Sequence, residues 1–153
     1  MPPTIVPADG GERLRFPDWQ VLIKLSGVDT GGSMTVLETV HDPGEGASPH
    51  IHTRENEMFF VLDGEVTFQV GDDRTTLERG SLVFGPVGTA HGFEVGSAGG
   101  RLLHVFVPSG TAHSTIENYF RELHSADAGV SFVEIRERHG METIPDGSVR
   151  RQT

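Results

Sequence analysis

The sequence predicts an all-β fold, a closed barrel or a double-sheet jelly roll, followed by one helix. Three observations carry this. Short apolar alternations crowd residues 19 to 108, with very short connections between them. Gly occupies 20 and Pro 9 of the 153 positions, and Gly alone runs near twice the ~7% of ordinary usage, so tight turns are frequent. A helical period occurs only after the last strand. Dense, glycine-punctuated strands without intervening helices are the pattern of closed or double-layered β architectures.

Taken in order, residues 1–18 form a Pro/Gly-rich leader. "WQVLIKLSG" sets Val21, Ile23 and Leu25 on one face of an extended segment, and "SMTVLETVHD" sets Met34, Val36, Glu38 and Val40 on one face of the next. In "EMFFVLDGEVTFQVGDD" the apolar run breaks at Asp63-Gly64 and closes at Gly71-Asp72, the pattern of consecutive hairpins. "SLVFGP", "HGFEV" and "RLLHVFVP" follow, the last two separated by "GSAGG". About eight strands thus fill 19–108. In 109–125, Ser114 or Thr115 can cap an amphipathic helix on which Ile116, Tyr119, Phe120 and Leu123 share a face. Residues 126–153 read as an extension packing on the barrel or on a partner, and its end, "GMETIPDGSVRRQT", as irregular.

A chain of this length holds one core, so any pocket must be carved from it. The 22 acidic against 12 basic residues give a net charge of −10, which repels phosphate backbones and anionic lipid surfaces, so neither nucleic acid nor membrane is an expected partner. The absence of cysteine removes disulfides, thiolate metal sites and a cysteine nucleophile. "MPPTIVPADGGE" has neither a basic start nor an apolar stretch of signal length, and no run approaches the ~18 apolar residues of a membrane span. A soluble, cytoplasmic protein is the expectation.

The chemistry concentrates in "HIHTRENE". Side chains alternate on an extended strand, so His50 and His52 project together. A bend at "TREN" can fold Glu57 back beside them, and "GPVGTAHGF" offers His91 in a turn leading to a strand with Phe93 on the same face. A His-rich set with one carboxylate suits Fe, Mn, Ni, Co, Cu or Zn. On these residues alone, a site for one divalent ion and a crowded polar turn both remain open. Alternation points Phe59, Val61, Val66, Phe68, Phe93 and Phe106, with Met34 and Val36, toward the interior as a pocket lining. His104 shares a face with Phe106 and reads as a satisfied structural histidine or a group contacting substrate, and Glu38 as another inward candidate. His41, His113, His124 and His139 read as surface or loop residues. Met58, Phe60 and Leu62 lie opposite Glu57, Phe59 and Val61, so that strand is apolar on both faces and needs a cover; a two-fold homodimer is expected.

These residues resemble the cupin superfamily. Gly44, His50, His52, Glu57 and Gly64 fill every fixed position of its first motif, and Gly80, Pro86, Gly88 and His91 match the second, with Val95 where Asn is the rule. The resemblance implies a double-stranded β-helix barrel whose metal is held by His50, His52, Glu57 and His91. "VPSGTAHSTIENYFREL" and "RHGMETIPDG" further resemble single-domain cupins related to quercetin 2,3-dioxygenases and to polyketide-pathway cupins. This implies a metal-dependent dioxygenase acting on a small aromatic or enolic substrate, with Glu57 as base. A non-redox cyclase or isomerase of a polyketide or sugar-like substrate, and a metal-containing binding protein, are the alternatives.

Overall fold

The computed structural model describes residues 3–127 and 129–144. In chain order these form β1 (Glu12–Arg15), β2 (Trp19–Leu25), β3 (Thr35–His41), β4 (Gly46–His52), β5 (Glu55–Val70), β6 (Asp73–Glu78), β7 (Leu82–Gly85), β8 (Ala90–Pro108), α1 (Glu117–Ser125), α2 (Phe132–Arg138) and β9 (Met141–Thr143). The strands pair antiparallel in the order β1-β2-β3-β8-β4-β9, while β5 joins β6, β7 and β8. The all-β jelly-roll expectation holds for the barrel.

Two long strands close the ladder into two layers. Glu55–Val61 of β5 pairs with Leu102–Pro108 of β8, and Val66–Val70 of β5 pairs with His91–Val95. Between these halves the register slips on both sides of Asp63–Gly64, where Gly64 lies opposite Gly100. Gly64 has φ +80°, and a Cβ there would clash with the Gly99 carbonyl oxygen. Glycine therefore lets the strand bend at a close backbone approach. Asp63-Gly64 is not a hairpin, and "GSAGG" does not end a strand: four apparent strands are two bent ones. A bulge glycine and a turn glycine look alike in sequence, and only the pairing partner separates them. At Gly71-Asp72 the hairpin reading holds, with Val70 opposite Asp73.

The helical region also departs from expectation. The α1 N-cap is Ile116, without a side-chain cap. Ser114 instead lies 2.7 Å from the Thr35 hydroxyl, which also bonds Glu117 Oε2 at 2.7 Å, while Glu117 Oε1 accepts from the Gly27 N–H at 3.0 Å. These buried polar groups are satisfied across elements, which pins α1 to the loop before β3. A second helix, α2, follows, capped by Ser131. The start of the supposedly irregular tail is ordered as β9, which pairs with β4 so that His52 lies opposite Met141 and His50 opposite Thr143. The remainder of that tail, 145–153, lies outside the described residues.

Two apolar clusters result. One joins Val21, Leu37 and Phe106 of the barrel to Ile116, Tyr119, Ile135 and Met141 of the C-terminal elements. The other packs Phe59, Val61, Val66, Phe68, Phe93 and Leu102 at the far end. The site lies between them. Among the described residues no helix is long and apolar enough to cross a membrane.

Candidate metal centre and cavity

Each donor is delivered by a different constraint. His50 and His52 share a face of β4, β8 sets His91 directly across from His50, and Glu57 enters from β5 between Gly85 and Phe106. The exposure of all four is 6% or less. Gly85 is needed for this arrangement, because a Cβ there would meet His91 Nδ1 at 2.8 Å. Four ligand atoms, one from each residue, all lie within 4.8 Å of one another.

The tautomers point inward. His50 Nδ1 donates to the Ser48 carbonyl at 2.8 Å and His91 Nδ1 to the Thr89 carbonyl at 3.0 Å. A carbonyl can only accept, so each Nδ1 carries a proton outward, and the one-proton tautomer of each ring turns its Nε2 lone pair inward. His50 Nε2 then lies 3.2 Å from His52 Nε2, and Glu57 Oε2 lies 3.1 Å from His52 Nε2 and 3.0 Å from His91 Nε2. Lone pairs at such separations repel unless a cation lies among them. About 3 Å is also the spacing of two ligands each ~2.1 Å from one ion and at right angles to each other. The donor set therefore fits a divalent ion of the Fe-to-Zn group.

Residues 37–106 match the family described as cupin domain. Those residues make up the heart of the barrel, which has the cupin fold. Over 121 residues it is 25% identical to quercetin 2,3-dioxygenase of Bacillus subtilis, covering 79% of this chain and 34% of that protein. Over 67 residues it is 39% identical to an uncharacterized Streptomyces coelicolor protein, covering 44% of this chain and 63% of the other. The chain thus spans about a third of the length of the first relative and under two thirds of the second. Among solved structures it resembles KdgF from Halomonas sp., with TM-score 0.63 and 17% identity over 72% of this chain and 97% of that one. It also resembles a predicted oxalate decarboxylase from Thermotoga maritima, with TM-score 0.62 and 20% identity over 69% and 100%. At these identities the likeness is one of fold.

Within the cupin barrel, burial opposes ionisation of Glu57, but the neighbouring His104, His52 and His91 outweigh it and hold the carboxyl well below the usual range. His50 is driven well below its ordinary value by burial first, then by His52, His91 and Arg136, which keeps it neutral. His104 Nδ1 donates to Glu57 Oε1 at 2.8 Å, and the Thr39 hydroxyl bonds His104 Nε2 at 2.8 Å. Glu57 therefore offers one oxygen to the centre while the other is clamped. Glu55 is a further buried carboxyl that the sequence reading missed. Burial pushes it up to about 7, and its Oε2 lies 4.0 Å from His52 Nδ1, both atoms lacking a hydrogen bond.

The cupin site opens into a cavity of about 350 Å³. Phe59, Phe93, His104 and Phe106 line it, alongside Trp19, Phe120 and Phe132. Val61, Val66 and Phe68 point inward but fill the far core behind it. Met34 and Val36 do not line it: Met34 precedes β3, Val36 is half-buried, and the inward positions of β3 are Thr35, Leu37, Thr39 and His41. Both faces of that strand carry apolar residues, so alternation could not choose between them. Glu38, on the other parity, pairs with Arg101 instead.

The same parity error hid His41, which the sequence reading placed at the surface. It is buried in the cavity wall with Trp19 stacked parallel at 5.7 Å and Phe93 edge-on at 5.2 Å. Both ring nitrogens lack partners. Burial, then the neighbouring His104, lowers it to about 4, so the ring is neutral near pH 7. His113 and His124 are exposed, and half-buried His139 bonds Glu122 at 2.6 Å. Arg136 of α2 also lines the cavity; nothing in the two cupin motifs signalled it.

Proposed function

We propose that this cupin binds one divalent ion through His50, His52, Glu57 and His91 and acts as a dioxygenase on a small, planar aromatic or enolic substrate. The observation that carries the proposal is a set of inward-facing donors opening into an aromatic-walled cavity. The 25% identity to quercetin 2,3-dioxygenase supports the reaction type. A bound ion would supply Lewis acidity toward the substrate's enol oxygen and, if redox-active, a route to dioxygen. Glu57 would loosen Oε2 from the ion to accept the enol proton there, while His104 Nδ1 holds Oε1 and keeps the carboxylate in position. Phe93, Phe106 and Trp19 hold the planar substrate and exclude water.

The test is elemental analysis of the purified chain, then oxygen uptake with quercetin after reconstitution with Fe, Mn, Ni, Co, Cu or Zn. Metal-dependent uptake supports the dioxygenase. Turnover without oxygen replaces it with the non-redox cyclase or isomerase, and an ion bound without turnover of any enol leaves a binding protein.

We also propose a two-fold homodimer through the barrel's outer face. Pairing places Met58 beside Phe84 and Val105, and Phe60 beside Leu82 and Leu103. Leu82 and Phe84 are each 51% exposed, so a second copy would cover a continuous apolar band. Light scattering should show twice the chain mass for the wild type and a monomer for the Leu82→Asp/Phe84→Asp double variant. A wild-type monomer at micromolar concentration removes the proposal.

A further inference from the structure

The cavity wall carries a charge that the described protein leaves unanswered. Arg136 is 4% exposed, and a guanidinium does not lose its proton in a protein. Its Nη1 lies 3.3 Å from the Ser48 hydroxyl, its Cζ sits 4.3 Å above the Phe132 ring, and its Nε has no hydrogen-bond partner. Among the described residues the guanidinium ion pairs belong to Arg101, Arg121 and Arg138, all far more exposed. The buried arginine makes none. The one carboxylate lining the cavity, Glu57, is engaged with three histidines.

A buried charge without a counter-charge is costly, and proteins keep one mainly where something arrives to pair with it. The hydroxyls of Ser48 and Tyr119 and the face of Phe132 hold the planar fork in place. From this arrangement, we infer that the substrate carries a carboxylate and that Arg136 binds it, placing the remainder of the molecule along the aromatic wall toward the histidine cluster. A guanidinium fork matches a carboxylate's two oxygens. A single guanidinium among the lining residues, with no lysine and no second arginine beside it, suits a single anionic group rather than a phosphate. The inference rests on the cavity being the substrate site, as proposed above, and names the class of compound that enters it.

The probe is benzoate, with benzamide as its uncharged isostere, titrated into the full chain as purified while Trp19, the single tryptophan and a cavity residue, reports by fluorescence. Benzoate should bind at least tenfold more tightly than benzamide. Arg136→Gln should erase that preference, and Arg136→Lys should keep part of it. Equal affinities in the wild type, no measurable benzoate binding, or a preference that survives Arg136→Gln overturns the inference; the wild-type comparison stands even if a variant fails to fold. Binding is read without turnover, so a protein that takes up no oxygen with any enol, carboxylated or not, yet still prefers benzoate through Arg136 would refute the dioxygenase and leave the carboxylate site intact.

Discussion

The histidines at the centre of the barrel and the polar groups on its C-terminal wall are built on opposite terms. His50, His91 and His104 each have a ring nitrogen held by a carbonyl, a hydroxyl or a carboxylate, so their orientations are set before anything binds. His41 and the Arg136 Nε, a short way along the same cavity, are buried with no partner. Satisfied groups define a fixed coordination shape, whereas unsatisfied ones lose stability until a ligand supplies what they lack. His52, whose Nδ1 faces Glu55 without bonding it, lies between these extremes.

The comparison can be broken most severely at the centre. His91→Ala removes a donor itself and should leave under a tenth of an ion per chain by elemental analysis. Retention of a full ion would mean that the set is not a metal site. His104→Ala leaves all four donors but frees Glu57 Oε1, and should cost ~10–100-fold in metal affinity or turnover. An unchanged titration curve would show that the clamp is incidental.

On the wall the sign reverses. His41→Phe removes two unpartnered buried nitrogens, so the variant should be more stable at pH 7 by about 1 kcal/mol in chemical denaturation. Its advantage should grow on acidification. Folded His41 protonates at about 4 and the unfolded ring near 6.5; between these values the unfolded state binds more protons, so wild-type stability falls as pH falls. The difference between variant and wild type should widen by up to roughly 3 kcal/mol from pH 6.5 to 4. Glu55 is common to both proteins and cancels. A gap that stays flat with pH would place His41 in contact with water or an acceptor. The smallest effect belongs to Thr39→Val, which deletes one hydrogen bond to His104 and should cost about 1 kcal/mol.

The ligand set was legible because its spacing is local: His-x-His on a strand commits two rings to one side whatever the rest of the chain does. The strand count and the face of β3 were not legible. Gly64 and Gly99 look like turn residues, and they become bends only because β5 and β8 find each other across the barrel. Val36 and Leu37 are equally apolar, and their faces separate only once Leu37 lies opposite His104 in the ladder.

Amino-acid order alone determined the β class, the true hairpin at Gly71-Asp72, the amphipathic run around Tyr119, and a His/Glu cluster competent for a divalent ion. Those follow from periodicity and short-range geometry. Tertiary structure decided that β9 clamps the strand bearing His50 and His52, that His104 holds Glu57, and that His41 and Arg136 enter the cavity. Each of these joins segments tens of residues apart, and such contacts depend on how bent strands close on one another, which no window of neighbouring residues encodes.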